Sequence, residues 1–447
     1  MKKYTIAFIA LIAFMLLVVG SIEWLKEKEQ KGTEIDVAVE TEAATDAEAR
    51  TGVGAKTGTK AGAEAGAGPE AGAEVENSIY GMTLSFANEQ QRVFTWLSDE
   101  RYEQSGLQIK KKAESWQQGS TVLLEAELAS YSNENGQQLY SYTATLDQLE
   151  EQQTYTYRVV AADKVISQEY SFTTYGEQEE SFQFIHVTDS QGVTEADYAQ
   201  WGITLRQAQL AAPQARFIVH GGDLTDDPAK EQEWKWFYSK AEALTSVPFF
   251  PTTGNHELVD DDASSYAIRF RMPANGANAL SEQTTYYMSY QNLLLISMNT
   301  EEAIDEQTIW LQEVLEQHAD SYDWIVVSMH RGVYGASRFK KAEDWTKLFD
   351  EYGVDLVLQG HNHSYSRSYP LVKGEAAAGD GQGTVYVTLN AAGSKLNDKK
   401  KEKAYQAVAF QNGKQMYAIV DVSSKELTYS AYDVDGQLLD QFTLEPS

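Results

Sequence analysis

The 447-residue sequence contains no cysteine, which excludes disulfide bonds and thiolate metal ligands. A metal ion would therefore have to bind oxygen and imidazole groups. Positive charge is also scarce, because 36 Lys and Arg stand against 66 Asp and Glu and give a formal net charge of −30. Nonspecific binding to a nucleic-acid backbone needs clustered Lys and Arg, so we expect no nucleic-acid-binding surface. The acidic balance is compatible with cation binding.

An apolar run extends from Thr5 to about Gly20 behind Lys2 and Lys3. A basic flank followed by a short apolar run is typical of an export signal, so we assign residues 1–26 to a signal peptide or membrane anchor. No A-x-A pattern ends the run, which leaves an uncleaved N-terminal membrane anchor open, although the run is short for a membrane span. The lysine pair favours an N-terminus inside the cell and predicts extracellular domains, either secreted or membrane-anchored.

Three composition changes divide the rest of the chain. Residues 27–77 are mainly Ala, Gly, Glu and Thr and predict a disordered linker, because they cannot bury enough apolar surface to offset their ordering entropy. Residues 78–176 contain short alternating apolar and polar runs separated by turn residues, which predict a β-sandwich. In residues 180–447 apolar runs alternate with amphipathic segments, which predicts an α/β domain.

The elements of this last domain can be placed from its apolar runs. The predicted strands are Phe182 to Val187, Phe217 to Val219, Leu293 to Ser297, Trp324 to Ser328, Leu356 to Leu358 and Val385 to Leu389. One helix is predicted behind Asp305 as its N-cap, and another from Phe339 to Tyr352 with Gly353 closing it. The runs Met416 to Val422, Leu427 to Tyr432 and Gln437 to Leu444 predict antiparallel strands that complete a sheet.

Metal-binding side chains follow several of these strands. The stretch FIVHGGDLTDD ends a buried strand in Gly221 and Gly222 and continues directly with Asp223. The same arrangement recurs at long spacing, and the side chains that follow strand ends in this way are Asp189, Asp223, Asn255, His330, His361 and His363. Ligands usually bind at the carboxyl ends of the strands of α/β sheets. A single Gly-Asp turn would carry little weight, but the whole series indicates a metal centre.

This ligand set predicts the chemistry of the centre. Carboxylate and amide oxygens with imidazole suit Fe, Mn, Co or Zn. One carboxylate can bridge two ions about 3.5–4 Å apart, and the pair can lower the pKa of a bound water. Two cations can also neutralise the oxygens of a phosphate ester during in-line attack. The residues therefore indicate a hydrolase acting on phosphate esters.

Five ordered motifs resemble those of the calcineurin-like metallophosphoesterases. They are Asp189-x-Gln191, Gly222-Asp223-x-x-Asp226, Gly254-Asn255-His256-Glu257, Met329-His330 and Gly360-His361-x-His363. The stretch from Gly360 to Ser368 is similar to the purple acid phosphatase branch in particular. The preceding β-domain resembles the fibronectin-like N-terminal domain of that branch. The resemblance covers Ile79 to the C-terminus and implies a fold of the α+β/α/β class, a β-sandwich followed by a four-layer αββα metallophosphoesterase domain.

The resemblance also implies residue roles at a centre of two divalent or trivalent metal ions, Fe, Mn or Zn. One ion would be held by Asp189, Asp223 and His363, and the other by Asp223, Asn255, His330 and His361. Asp223 would bridge the two, and His256 would act as an acid or contact the transition state. Arg331 and Arg367 are candidates for phosphate contact, since a guanidinium matches phosphate geometry, with a surface salt bridge as the alternative for each.

The chain departs from the family pattern at two positions. Gln191 stands where general metallophosphoesterases carry a histidine, and Asp226 stands where purple acid phosphatases carry the tyrosine that colours them. The first ion therefore keeps three firm ligands, with Gln191 and Asp226 as additional candidate ligands. We expect a colourless protein in which this ion is comparatively labile.

Other polar residues have simpler interpretations. We expect His186 and His220 to lie in the core or behind the ligands, and His318 at the surface. The basic run from Lys399 to Lys403 is most simply a solvated loop, although its place after Asn390 to Gly393 could bring it near the mouth of the site.

The sequence thus predicts an exported enzyme that hydrolyses phosphate esters by attack of a metal-bound hydroxide. Two alternatives stay open. One is a phosphodiesterase or nucleotidase, because ester choice depends on loop geometry. The other is a surface binding protein with a degenerate metal site, against which the near-complete ligand set argues.

Overall fold

The computed structural model describes residues 79–446 apart from 117–119, 134, 163, 177–178, 260–262, 278–282 and 378–382. The predicted export segment, residues 1–26, and the predicted linker, residues 27–77, lie outside the described residues. In the described part of the chain no helix is long and apolar enough to cross a membrane.

The N-terminal part of the described chain consists of two facing β-sheets. Its strands are β1 (Tyr80–Ser85), β2 (Arg92–Ser98), β3 (Ser105–Lys111), β4 (Val122–Glu125), β5 (Glu127–Ser132), β6 (Gln138–Leu146), β7 (Thr154–Ala161), β8 (Lys164–Val165) and β9 (Tyr170–Thr173). One sheet has the order β1-β2-β6-β5, and the other β4-β3-β7-β8 with β9 on β7. Phe94 of the first sheet meets Tyr157 of the second, with 4.9 Å between their ring centroids. Both rings are buried, so the alternating pattern of the sequence encloses a core between the sheets.

Two mixed sheets form the larger, C-terminal part. The strands are β10 (Ser181–Val187), β11 (Ile218–His220), β12 (Phe249–Pro251), β13 (Tyr286–Tyr290), β14 (Leu293–Met298), β15 (Trp324–Met329), β16 (Leu356–Gln359), β17 (Tyr365–Ser368), β18 (Leu371–Val372), β19 (Glu375–Ala376), β20 (Val385–Thr388), β21 (Gln406–Phe410), β22 (Met416–Ser423), β23 (Leu427–Asp433) and β24 (Leu438–Leu444). One sheet has the order β12-β11-β10-β22-β23-β24, and the other β13-β14-β15-β16-β20-β17-β21. Strands β18 and β19 pair separately.

Helices cover the outer faces of these sheets. The α-helices are α1 (Glu195–Ala211), α2 (Glu231–Ser239), α3 (Ser264–Ala267), α4 (Ile304–His318) and α5 (Glu343–Tyr352). Short 3₁₀ helices span Glu242–Thr245, His256–Leu258, Ala319–Ser321 and Lys340–Ala342. One apolar core lies between the two sheets and includes residues of α1 and α2. A second core lies between the β13-to-β21 sheet and helices α4 and α5. The layers are therefore helix, sheet, sheet and helix, which confirms the predicted fold class.

The apolar runs predicted the main strands well, and the helix ends less well. β10, β14, β15, β16 and β20 lie within one residue of the predicted bounds at each end, and the three C-terminal strands pair antiparallel as predicted. Gly353 ends α5 in a left-handed conformation with φ 69°, as expected. The N-cap assigned to Asp305 is wrong, because Ala303 occupies that position and Asp305 lies in the first turn of α4. The helix predicted from Phe339 begins only at Glu343, behind a 3₁₀ turn.

A buried ion pair of the larger part binds two tyrosines of the β-domain. Glu231 of α2 pairs with Arg269, and both side chains are almost fully buried. Two tyrosines of the β-domain donate to the same carboxylate, Tyr80 at 2.6 Å and Tyr131 in a shorter contact. The Arg269 guanidinium also lies over the ring of Trp234, 4.6 Å from its centroid. These contacts satisfy a carboxylate that would otherwise be buried and unpaired.

Candidate metal centre

The predicted ligands lie at one edge of the two sheets. Asp189 follows β10, Asp223 follows β11, and Asn255 follows β12, three parallel neighbours in the first sheet. In the second sheet His330 follows β15, and the pair His361 and His363 follows β16, its parallel neighbour. Carboxyl ends of parallel strands lie at the same edge, which is why residues far apart in sequence meet here.

Five of these residues form two overlapping groups. Asp189, Asp223 and His363 have candidate ligand atoms within 4.8 Å of one another, and so do Asp223, His330 and His361. Asp223 is shared, so one carboxylate lies between two sites. Four of the five side chains are buried, and His361 is partly buried.

The turns that carry the ligands use an unusual backbone conformation. Asp189, Asp223, His361 and His363 all have positive φ angles, between 48° and 70°. Such a conformation costs a non-glycine residue of order 1 kcal/mol or more and is common at functional sites. Gly222 has φ 94°, and a Cβ there would lie 2.7 Å from Nδ1 of His330 and 2.8 Å from the Gly254 nitrogen. Only glycine allows this approach of the turn to its neighbours.

Backbone carbonyls orient two of the histidines. Nδ1 of His330 lies 2.8 Å from the Gly221 oxygen, and Nδ1 of His363 lies 2.6 Å from the Lys395 oxygen. Each ring therefore carries its hydrogen on Nδ1 and keeps Nε2 for another partner. Nε2 of His330 lies 3.0 Å from Asp223 Oδ2, and Nε2 of His363 lies 3.1 Å from Asp189 Oδ1. A metal ion bound at Nε2 would leave the Nδ1 hydrogen bond of each ring in place.

Two buried amide oxygens support a metal at this place. Among the described residues, no hydrogen-bond donor reaches Oδ1 of Asn255 or Oε1 of Gln191. A buried oxygen without a partner costs free energy unless something else satisfies it. Asn255 belongs to the predicted ligand set and Gln191 is an additional candidate ligand, and a cation is the partner that their chemistry suits. The residues present thus fit divalent or trivalent metal ions.

The electrostatics of the centre depend on the same ligands. Burial alone would raise the pKa of Asp223, but the adjacent His330 and His256 hold it well below its ordinary value. Burial would conversely lower the pKa of His330, yet the carboxylates of Asp223 and Asp189 raise it to about 10. Without metal, His330 therefore holds a proton against Asp223, and a cation has to displace that proton.

His361 lies in a different environment. Burial and the positive charges of His330 and Arg331 lower the pKa of His361 to about 4. Its Nε2 is 3.1 Å from Nη1 of Arg331, whose Nε is held by Glu301 at 2.8 Å. Arg331 thus lies beside a candidate ligand, as the phosphate-contact prediction requires.

Arg367 lies elsewhere. Its guanidinium contacts Asp440 at 2.7 and 3.1 Å and lies over the ring of Phe442. These partners belong to β24 rather than to the candidate centre, so the structure brings Arg331 and not Arg367 to the ligands. The ion pair with Asp440 corresponds to the alternative that the sequence left open for this residue.

His256 and Asp226 meet at the rim of the centre. Nδ1 of His256 donates to the Asp226 carbonyl at 2.6 Å, and its Nε2 lies 4.0 Å from Asp223 Oδ2. The side chain of His256 is partly exposed. The Asp226 carboxylate lies 3.7 Å from His256 Nδ1 and belongs to neither described carboxylate–histidine group.

Gln191 lies inside the centre. Its Nε2 is 3.2 Å from Asp223 Oδ2 and 3.4 Å from His363 Nε2, and the residue is fully buried. The two ends of an amide side chain are nearly isosteric, so a half-turn would put Oε1 at that place. Of the two additional candidate ligands, Gln191 is thus the one beside the group formed by Asp189, Asp223 and His363.

The role of Glu257 was missed by sequence reasoning. Its carboxylate accepts hydrogen bonds from the backbone nitrogens of Asp223 at 2.9 Å, Leu224 at 2.7 Å and Gly254 at 2.7 Å. Burial and the nearby Asp223 raise the pKa of Glu257 to about 7. Glu257 therefore links the turn that carries Asp223 to the turn that carries Asn255. Its position in the Asn255-His256-Glu257 motif was the available signal.

The remaining histidines of the first sheet lie in the core, as expected. His186 contacts the Tyr429 hydroxyl at 3.0 Å, and His220 contacts the Ser190 hydroxyl at 3.0 Å. Burial lowers the pKa of each to about 3, so both remain neutral at ordinary pH. His318 is partly buried at the end of α4 rather than exposed.

Two family models match this chain. Residues 182–365 match the calcineurin-like phosphoesterase family, and residues 79–174 match the purple acid phosphatase N-terminal domain. The chain carries a calcineurin-like phosphoesterase domain. The first match spans every predicted ligand, and the second spans the β-domain. The predicted resemblance is thereby confirmed, and this phosphoesterase family uses divalent metal ions.

Curated relatives and a solved structure agree with the family. Purple acid phosphatase 21 of Arabidopsis thaliana is 30% identical over 192 residues, which is 39% of this chain and 43% of the relative. An uncharacterized protein of Mycobacterium tuberculosis is 29% identical over 162 residues, 30% of this chain and 31% of the relative. The purple acid phosphatase PPD1 of yellow lupin superposes with a TM-score of 0.71 at 17% identity, covering 83% of this chain and 74% of that one. The matched part spans less than half of these curated relatives' length.

Proposed function

We propose that this protein is a metal-dependent phosphoric ester hydrolase with a dinuclear centre. The observation that carries the proposal is the pair of ligand groups that share the buried carboxylate of Asp223. One ion would be held by Asp189, Asp223 and His363, and the other by Asp223, Asn255, His330 and His361. When bound, the ions would polarise the ester phosphate and lower the pKa of the attacking water.

His256 would handle the proton of the leaving group. Its Nδ1 hydrogen is committed to the Asp226 carbonyl at 2.6 Å, so Nε2 is the nitrogen that can exchange a proton with substrate. Nε2 lies 4.0 Å from Asp223 Oδ2, which puts it next to the shared ligand rather than within the ligand set. Protonated His256 would donate to the departing oxygen.

Arg331 is the proposed phosphate contact. Glu301 holds its Nε at 2.8 Å and so directs the fork of the guanidinium toward His361. A guanidinium in this place can donate two hydrogen bonds to a phosphate oxygen pair. Since the ester would lie over the ligands, Arg331 would orient it for in-line attack.

We also propose export of the protein, with its domains outside the cell and either secreted or anchored. The support is the basic flank and short apolar run of residues 1–26. A purified protein from the culture medium whose mature N-terminus lies beyond residue 26 would support a cleaved signal. A membrane-bound protein that retains Met1 would indicate the anchor instead.

Hydrolysis of a chromogenic phosphate monoester by metal-stripped protein tests the enzyme proposal. We expect turnover to return when Mn, Fe or Zn is added and to remain absent in Asp223→Asn. Asp227→Asn is the matched control, because Asp227 pairs with Lys230 and belongs to neither described ligand group. Each variant must show a cooperative unfolding transition in denaturant, so that the loss of turnover in Asp223→Asn is not a loss of the fold.

The outcome decides between the open alternatives. Turnover of diesters but not of monoesters would assign the protein as a phosphodiesterase. A folded protein that turns over neither ester with any of the metals would overturn the enzyme proposal in favour of a binding protein.

A further inference from the structure

Two basic segments far apart in sequence converge beside the candidate centre. Residues 331–341 contain four basic and no acidic residues, and residues 395–403 contain five basic and two acidic residues. The whole chain has a net charge of −30, so this concentration of positive charge is local. The basic rim consists of Arg338, Lys340, Lys341, Lys395, Lys399, Lys400, Lys401 and Lys403, all exposed.

The first segment is fastened to the turn that carries two ligands. Asn362, between His361 and His363, accepts a hydrogen bond from the Ser337 backbone nitrogen at 3.1 Å and donates one to the Ser337 hydroxyl at 2.6 Å. A further bond from the Phe339 nitrogen to the Gly332 oxygen closes this segment into a loop. Arg338, Lys340 and Lys341 follow Ser337 within four residues, so their Cα atoms lie within about 15 Å of the Cα atom of Ser337.

The second segment is fastened to the same turn. His363 Nδ1 lies 2.6 Å from the Lys395 oxygen, and the Asn397 nitrogen donates to the His363 oxygen at 3.2 Å. The Asn397 side chain also donates to the Asn362 oxygen at 3.2 Å. At its far end Tyr405 donates to the Gly335 oxygen at 2.7 Å, which joins the two basic segments to each other.

Most side chains of the basic rim form no ion pair with the carboxylates that the structure describes. Lys399 pairs with Glu402, and Arg338 pairs with Glu343. Lys340, Lys341, Lys400 and Lys401 form no ion pair with any carboxylate that the structure describes. Lysines held in two loops at the mouth of an acidic protein's site produce a local positive field that attracts and retains anions.

We propose that the basic rim is a second-phosphate subsite, so that the preferred substrate is a phosphate ester whose leaving group carries a further phosphate. This proposal rests on the proposed function for the identity of the first subsite. The scissile phosphate would occupy the metal centre, and the second phosphate would lie among the rim lysines. A simple aryl phosphate would use only the first subsite.

The test compares a matched pair of ligands, a hexose 1,6-bisphosphate and the corresponding hexose 6-phosphate. Binding is measured by calorimetry on metal-loaded full-length protein, and KM and kcat are measured for the same pair and for an aryl phosphate. The rim variants are Lys340→Gln/Lys341→Gln and Lys400→Gln/Lys401→Gln. The control is Lys164→Gln/Lys425→Gln, which removes the same charge. Both control lysines are exposed and lie away from the candidate centre. Lys164 is on β8 of the β-domain. Lys425 is two residues beyond Ser423, which pairs with Ser181 at the end of β10 that is remote from Asp189.

We expect the wild type to bind the bisphosphate at least about fivefold more tightly than the monophosphate, in line with several exposed charge pairs of modest strength. Each rim variant should lose most of that preference through KM or Kd, with kcat and the aryl phosphate KM unchanged. The control should keep it.

Two results would overturn the subsite. The first is equal affinity of the wild type for the bisphosphate and the monophosphate. The second is a preference for the bisphosphate that persists in both rim variants. The proposals fail separately. If the protein shows no turnover but binds the bisphosphate in preference through the rim lysines, the hydrolase proposal fails and the subsite proposal stands. If it shows turnover but no preference for the bisphosphate, the subsite proposal fails and the hydrolase proposal stands.

Discussion

The Glu257 carboxylate accepts a hydrogen bond from the backbone nitrogen of Asp223 at 2.9 Å. The side chain that follows a predicted ligand in one turn therefore fixes the backbone of the shared ligand in another. Two further backbone donors meet the same carboxylate, which makes it the common anchor of both turns.

Replacement of this anchor should loosen the metal centre. In Glu257→Gln an amide NH₂ would face backbone donors, so we expect a loss of about 1–3 kcal/mol in the free energy of unfolding and weaker metal retention. Denaturant titration and metal content after dialysis measure the two effects. Glu233→Gln is the control, because Glu233 accepts from the Asp226 and Asp227 nitrogens in the neighbouring loop. Equal metal loss in both variants would contradict a specific role for Glu257.

Gln191 should determine how firmly the first ion is held. Gln191→His introduces an imidazole at a buried position 3.2 Å from Asp223 Oδ2, and we expect slower loss of one metal equivalent to a chelator. Gln191→Leu removes the amide oxygen and should speed that loss. The rate of metal release, followed with a colorimetric chelator, distinguishes the variants. Identical rates in all three proteins would show that this side chain does not ligate.

The iron-loaded protein should be colourless. The colour of purple acid phosphatases is attributed above to a tyrosine ligand, and this chain has Asp226 at that position. We therefore expect no strong charge-transfer band in the visible spectrum of protein loaded with ferric iron. Metal analysis of the same sample verifies loading. A strong band in a loaded sample would mean that another tyrosine reaches the metal.

The two core histidines should make the protein sensitive to acid. Burial lowers the pKa of His186 and His220 to about 3, whereas an unfolded histidine has a pKa of about 6.5. Between these values the unfolded state binds protons that the folded state does not. The free energy of unfolding should therefore fall as pH drops below about 6.5, by up to about 1.4 kcal/mol per pH unit for each residue.

Denaturant titrations between pH 7 and pH 4.5 check this dependence. His186→Gln should show a shallower slope than the wild type, because one of the two buried groups no longer titrates in the unfolded state. A variant slope equal to that of the wild type would mean that His186 is protonated in the folded protein.

The interface between the β-domain and the phosphoesterase domain should depend on a buried charge. Glu231→Gln leaves Arg269 without its ion-pair partner, and we expect a loss of about 3–5 kcal/mol in the free energy of unfolding. The control crosses the same interface. Lys235 pairs with Asp99 at 2.6 Å with both side chains partly exposed, so Lys235→Gln should cost under about 1 kcal/mol. If the two variants lost similar free energies of unfolding, burial of the Glu231–Arg269 pair would not explain its contribution to stability.

The sequence predicted β10, β11, β15 and β16, which lead to most of the ligands, because these strands are largely buried and read as continuous apolar runs. β12, which leads to Asn255, was not predicted as a strand. The ligand turns were also accessible, since each combines a strand end with Gly, Asp, Asn or His. β21 was not predicted, because its residues are all partly exposed and its apolar run, Ala407 to Phe410, is short. The cap of α4 was misplaced because Ala303, in a left-handed conformation, carries no capping side chain to detect.

The polar contacts around the ligands were harder to predict. The ion pair of Arg367 with Asp440 joins strands of two different sheets, and only the packing of those sheets brings the residues together. The same holds for Glu301 beside Arg331 and for the lysine loop beside His363. Sequence patterns report periodicity within an element, whereas these contacts depend on how distant elements pack.

The pairing of β10 with β22 has a consequence for the order in which the protein is made. Ser181, at the start of the strand that leads to Asp189, is paired with Ser423. During synthesis the sheet that contains the first ligand strand therefore cannot close before β22 has been made. Pairing between strands that are far apart in sequence slows folding, and until it forms the unpaired edge of β10 can pair with other strands. All the candidate ligands therefore precede in sequence the strand that closes the sheet beside Asp189.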